Sequence, residues 1–278
     1  MKTLFVTDLD KTLLRSEERL SEYSVKTINK LIGDGMCFSY ATARSSLTAD
    51  KVASQLKIKV PLIVFNGAFI VDSVTKKIIL SNYFNSDEVK TVREVLIKNR
   101  INPIVYADFN GTEKFTFFRG DMNYGKKFFL DSRQNDPRRN ETDDPKAVYD
   151  KDGKTFYFSC IGDKKDLEPA YESLKSDIRF HCILQLDAYC DTYWLEILPA
   201  KATKAHGILQ LKTFLKCEKV VCFGDGKNDL EMFKAADECY AVENAVPELK
   251  KVATGIIASN DEDGVAKWLE VNWERYER

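Results

Sequence analysis

Histidine is almost missing from this chain: 278 residues hold two, His181 and His206. That excludes a zinc centre built on imidazoles, which needs several converging ligands. The seven cysteines (Cys37, Cys160, Cys182, Cys190, Cys217, Cys222 and Cys239) are odd in number and form no C-x-x-C pair, so neither a disulfide framework nor a thiolate metal site is expected. Set mostly among apolar neighbours, they read as reduced core residues. No segment approaches the roughly 18 consecutive apolar residues of a membrane span. The apolar stretch after Lys2 meets Asp8 too early to be the core of a secretory signal, so a cytoplasmic protein is expected. Neither sign of charge is in excess, with 42 Lys plus Arg against 43 Asp plus Glu, so no basic field points to nucleic acid. Internal repeats and low-complexity tracts are also lacking.

What the chain does have is enough apolar residue, 44%, to bury a full core, and a strongly alternating texture. Leu4-Phe5-Val6 reads as a strand, Val25 to Ile32 as a helix, Met36 to Ala41 as a strand, a helix follows from about Ser46, and Pro61 to Phe65 reads as a third strand. Strand, helix, strand, helix, strand predicts a parallel sheet covered on both faces. The texture returns near the C-terminus, with strands at Val220–Phe223 and Cys239–Val242 and helices around Ile208–Leu215, Leu230–Phe233 and Gly264–Glu270. The two ends therefore predict one doubly wound α/β core, residues 1–82 and 193–278. Between them, residues 83–192 read as an inserted α+β domain. A helix over Ser86–Asn99 leads to strands at Ile104–Tyr106 and Phe115–Phe118 around an Asn110-Gly111 turn, and the polar stretch Asp131–Asp144 reads as a solvated loop.

The chemistry lies at the strand ends. In an open parallel sheet, ligands bind beyond the carboxyl ends of the strands. Asp8 and Asp10 follow the first strand, and two carboxylates converging there repel unless a cation or proton intervenes; Mg²⁺, a hard cation with oxygen ligands, is the simplest remedy. A second acidic strand end, Gly224-Asp225-Gly226-Lys227-Asn228-Asp229, suggests that the cation is shared. Thr42 and Arg44 end another strand, and Lys204 begins a helix.

In these segments the chain resembles the haloacid dehalogenase superfamily, in its Cof-type, sugar-phosphatase-like branch with a large α/β cap. DLDKTLL from Asp8, YATARS from Tyr40, Lys204 within PAKATKAHG and FGDGKNDLEMF from Phe223 match its four motifs in order, and VFNGAFI, VENAVPELKKVA and ASNDEDGVAKWLE extend the likeness over the core. The resemblance implies a Rossmann-like core and a phosphatase of small phosphate monoesters. Asp8 would be the nucleophile forming an aspartyl-phosphate, and Asp10 the general acid and base. Mg²⁺ would sit on Asp8, Asp225 and the Asp10 carbonyl, with Asp229 either a further ligand or a partner behind them. Thr42, Ala43, Lys204 and Asn228 would lie at the phosphoryl oxygens, with Arg44 either at the substrate or paired with an acid. The insertion is expected to act as a lid. A phosphomutase on the same frame, or a phospho-aspartate receiver that is not an enzyme, are the alternatives; a receiver lacks both the insertion and an acid two residues after its aspartate. Two residues depart from the family: Lys11 and Ala43 stand where it usually has glycine.

Overall fold

The computed structural model describes residues 2–149, 152–187 and 190–276. In chain order its strands are β1 Thr3–Thr7, β2 Cys37–Tyr40, β3 Leu62–Val64, β4 Phe69–Val71, β5 Ile78–Ser81, β6 Ile104–Phe109, β7 Thr112–Phe118, β8 Arg139–Thr142, β9 Lys154–Gly162, β10 Phe180–Leu186, β11 Tyr193–Pro199, β12 Lys219–Gly224, β13 Glu238–Val242 and β14 Gly255–Ile257. The helices are α1 Glu22–Gly33, α2 Ser46–Ala53, α3 Ser86–Lys98, α4 Tyr124–Asp131, α5 Lys164–Leu174, α6 Lys204–Phe214, α7 Leu230–Ala235, α8 Pro247–Lys250 and α9 Gly264–Asn272. The chain divides into two compact units, Met1–Ser81 with Ala202–Arg278, and Asn82–Lys201.

The first unit is built on a parallel sheet of order β14-β13-β12-β1-β2. All five residues of β1 and all four of β2 are buried, which requires cover on both faces and explains why these strands read as continuous apolar runs rather than alternations. Helix α1 packs on α9, and α6 on α7. Phe5 and Phe223, both fully buried, meet Trp273 and Trp268 edge-on at ring separations of 5.8 and 5.2 Å. Each such side chain removed from water contributes about 1.5–3 kcal/mol. Chain order reverses at β1, whose neighbours β2 and β12 lie on opposite sides, so the crevice beyond β1 and β12 is the ligand-binding position of a doubly wound sheet.

The third expected strand pairs mainly elsewhere. Leu62–Val64 stays beside β2 through the parallel bridge Ala41 to Ile63, where the Thr42 N–H donates to the Ile63 carbonyl at 3.0 Å, but its ladder runs in a small antiparallel sheet β3-β4-β5. Its apolar run reports burial but not which neighbour it pairs with.

The second unit carries a six-stranded sheet of order β10-β11-β9-β6-β7-β8, antiparallel except for the β7–β8 pair. Helices α3 and α5 pack together over a core that includes Phe84, Val92, Leu96, Phe158, Leu167, Leu174, Leu195 and Ile197. Phe115 and Phe117 are buried, as core side chains rather than an exposed stacking platform. The Asn110-Gly111 turn has φ of 53° and 89°, the left-handed pair that a tight hairpin demands.

Two expectations are corrected in this unit. Tyr193–Pro199, which the expected boundary at residue 193 assigns to the core, is β11 of this sheet, so the second crossing lies at Lys201/Ala202, and the first follows Ser81. The polar stretch Asp131–Asp144 is not simply a solvated loop: Arg139–Thr142 pairs with Phe115–Phe118, and Arg138 is buried against Glu113 at 2.6 Å and Asp136 at 2.7 Å. An edge strand needs no apolar alternation, which is why its composition hid it. All seven cysteines are free thiols, and six of them are buried.

Candidate active site

The polypeptide places Asp8 one residue beyond the end of β1, where its N–H still donates to the Phe223 carbonyl of β12 at 2.9 Å. The side chain thus emerges between the two central strands at their carboxyl ends. The Thr7 hydroxyl donates to the Asp8 carbonyl at 2.7 Å and closes off that backbone oxygen. The chain then turns sharply, with the Leu14 N–H donating to the Leu9 carbonyl at 2.8 Å. Within this loop Lys11 has φ of 55°, in the left-handed region where a Cβ crowds the backbone. The conformation explains why glycine is the family's usual residue there. Lys11→Gly is expected to stabilise the protein by about 0.5–1 kcal/mol, the relieved strain less the added chain entropy of glycine. The contact from the Asn244 amide, at 2.7 Å, is to the Lys11 carbonyl and survives the change. A melting temperature that falls in the variant would contradict the strain.

Lys204 is the first residue of α6 and is 3% exposed. Its ammonium donates to Asp8 Oδ1 at 2.6 Å and to Asp229 Oδ1 at 2.8 Å. The other oxygen of Asp229 accepts the N–H groups of Asp225 and Gly226, each at 3.0 Å, so the fully buried carboxylate folds its own loop around itself. A Cβ at position 224 would lie 2.7 Å from that same oxygen, which only glycine avoids. Asp225 accepts from the Thr12 hydroxyl at 3.1 Å. Oxygens of Asp8, Asp225 and Asp229 all lie within 4.8 Å of one another.

Three carboxylates against one ammonium leave the pocket short of positive charge. Burial pushes the Asp8 carboxyl well above the usual range; Lys204 opposes this, but Asp229, Asp225 and Asp10 add to it. Burial, with Asp229 next, raises Asp225 to about 6. Lys204 moves the other way in charge: burial disfavours its ammonium, yet Asp229 and Asp8 together outweigh that and hold it protonated above its ordinary value.

The remaining expected residues do not join this cluster directly. Asp10 turns its carboxylate to Arg44, whose Nε lies 2.9 and 3.1 Å from its two oxygens, while Arg44 Nη2 also reaches Glu18 at 2.7 Å. Of the two positions open to it, Arg44 therefore occupies the acid-paired one. Thr42 is fully buried, and its hydroxyl accepts the Arg44 N–H at 3.1 Å. Ala43 and Asn228 are exposed, and among the described residues no hydrogen bond ties the Asn228 side chain to the charged group. The reading by sequence passed over Thr12 and Glu18. Thr12 had a signal, as the threonine of DLDKT; Glu18 had none, because only the fold brings it to Arg44.

Residues 5–269 match the family described as haloacid dehalogenase-like hydrolase. Over 96% of both chains the protein is 26% identical to 5-amino-6-(5-phospho-D-ribitylamino)uracil phosphatase YitU of Bacillus subtilis. It is also 26% identical to YwtE of the same organism, which carries the same activity name, over 95% of each chain. The crystal structure of a haloacid dehalogenase-like hydrolase from Bacteroides thetaiotaomicron superposes with a TM-score of 0.78, at 25% identity, covering 98% of this chain and 99% of the other. With the Asp8 loop, the lysine and the acidic loop gathered at the switch point of the sheet, the chain belongs to the haloacid dehalogenase-like hydrolases, in their Cof-type branch, and is a phosphoric monoester hydrolase.

Proposed function

We propose that the protein is a Mg²⁺-dependent phosphatase of small phosphate monoesters, sugar phosphates or related metabolites, working through an aspartyl-phosphate on Asp8. The observation that carries this reading is the Lys204 ammonium 2.6 Å from Asp8 in a buried pocket shared with two further carboxylates. The donor set suits a hard divalent cation: it is all oxygen, and more negative than one lysine balances. Asp8, Asp225 and Asp229, with the Asp10 carbonyl, would hold it. When bound, Mg²⁺ supplies the positive charge that lets a phosphate dianion approach a carboxylate.

The protein's own groups perform the proton and bond changes. An Asp8 oxygen attacks phosphorus, the bond from phosphorus to the alcohol oxygen breaks, and Asp10 gives its proton to that oxygen. Asp10, now a carboxylate, takes a proton from water as the water oxygen attacks phosphorus. The bond to Asp8 then breaks, releasing inorganic phosphate and restoring Asp8. Lys204, Thr42, Asn228 and the backbone at Ala43 hold the phosphoryl oxygens, and Arg44 orients Asp10. The second unit, the cap of this reading, would choose among esters. The activity named for the Bacillus subtilis relatives, on a phosphorylated ribitylamino compound, supports a polyol or sugar phosphate as the substrate class.

A screen of sugar phosphates, nucleotides and phosphorylated cofactors with Mg²⁺, reading released phosphate, tests the proposal; silence across all classes would overturn it. Asp10→Asn is expected to slow hydrolysis of alkyl phosphates by about 10²–10⁴-fold and of an activated aryl phosphate far less, since only a poor leaving group needs the proton. Equal losses for both would remove Asp10 from the acid role.

A further inference from the structure

Phe65, Asn66 and Gly67 form a buried turn in which three successive residues have positive φ, 50°, 53° and 94°. The amide oxygen of Asn66 is enclosed there with no hydrogen-bond partner. Such a conformation persists only where surrounding structure over-determines it. On one side the turn is tied to the Thr42–Arg44 loop: Phe65 N–H donates to the Arg44 carbonyl and Asn66 N–H to the Thr42 carbonyl, each at 2.9 Å. On the other side it meets the start of α6. A Cβ on Gly67 would stand 2.2 Å from the Thr203 carbonyl oxygen, the same oxygen that accepts the Gly207 N–H at 3.0 Å to begin the helix. One turn further on, a Cβ on Gly207 would stand 2.8 Å from Ile63 Cγ2 and 3.6 Å from Gly67 Cα.

Glycine early in a helix is disfavoured by propensity, so its presence at 207 needs a packing reason, and this double approach supplies one. We infer that the Phe65–Gly67 turn is the seat of α6 and that Gly67 and Gly207 are positioning residues for Lys204, which lies between the two contact points. The inference rests on the phosphatase reading for the use of Lys204, though not for its placement. Lys204 makes bonds of 2.6 and 2.8 Å at the end of a long stem, so lifting the first turn of α6 by the room a methyl needs withdraws the ammonium from Asp8 and Asp229. Misplacement of a reacting-site group by about 1 Å can cost on the order of 10²-fold in rate.

The full-length chain tests this with Gly207→Ala, whose clash is with a side chain, and Gly67→Ala, whose clash is with backbone. Acetylation of Lys204 by a small anhydride, followed by mass spectrometry, reads the position of the ammonium without reference to activity. In the wild type Lys204 is expected to be protected. In Gly207→Ala it is expected to be labelled at least about tenfold faster, with circular dichroism unchanged and kcat lowered about 10–100-fold while KM moves little. Adding Ile63→Ala is expected to restore both protection and kcat, whereas it cannot rescue Gly67→Ala. Protection and kcat within twofold of wild type in Gly207→Ala would overturn the seat, as would a Gly207→Ala defect, folding included, that Ile63→Ala leaves untouched. A wild type that hydrolyses no ester, with labelling as expected, would instead remove the phosphatase reading and leave the seat standing.

Discussion

Asp8→Asn is expected to lower turnover by about 10³-fold or more while leaving the fold intact. The substitution keeps the shape of the side chain but removes the attacking oxygen's charge, and groups that act as a catalytic unit are lost together rather than in part. Stability is expected to change little, because two effects oppose each other. The folded state holds the Asp8 carboxyl above its unfolded value, chiefly through burial, a penalty that an amide lacks, while the amide gives up the charge that helps hold Lys204 protonated. Asp229 remains as a partner for Lys204. Steady-state hydrolysis and a thermal melt on one preparation check both halves. Residual activity within tenfold of wild type would remove Asp8 from the nucleophile's role, and a much lower melting temperature would show that the loss came from the fold.

Removal of divalent cation is expected to reduce hydrolysis to background, with Mg²⁺ restoring it and Ca²⁺, larger and less demanding in geometry, restoring little. Full activity in excess chelator would exclude the site built on Asp8, Asp225 and Asp229. The same pocket has a pH signature in the cation-free protein. Asp225 titrates at about 6 when folded and near the ordinary carboxylate value, about 3.9, when unfolded. As pH rises from about 4 to about 6 the unfolded chain gives up its proton first, so stability falls across that window and stays lower above it. Because ligands must be deprotonated to bind, the gain in melting temperature on adding Mg²⁺ is expected to be larger at pH 7.5 than at pH 5. An equal gain at both would argue that Asp225 is not a ligand.

Local sequence determined a good deal of this protein. The apolar runs of β1, β2 and β12 announced strands buried on both faces, and the acids and glycines placed straight after them marked the carboxyl ends where an α/β sheet holds its ligands. The Asn110-Gly111 hairpin was equally legible, since left-handed φ values select those residues. Tertiary structure decided what periodicity does not encode, namely which buried element meets which. An apolar run gives Leu62–Val64 a reason to be inside but no instruction to pair along its length with β4. Tyr193–Pro199 carries the same kind of signal whether it returns to the first unit or joins β9 and β10 in the second. In the site, the pairing of Asp10 with Arg44, which also holds Glu18, depends on the angle at which a loop leaves β1. Lys204 reaches Asp8 from 196 residues away, and it does so only because the start of α6 can lie against a turn at Gly67 too close for any side chain. Local patterning sets what is buried and where charge must gather; the close approaches of distant backbone set which charges touch.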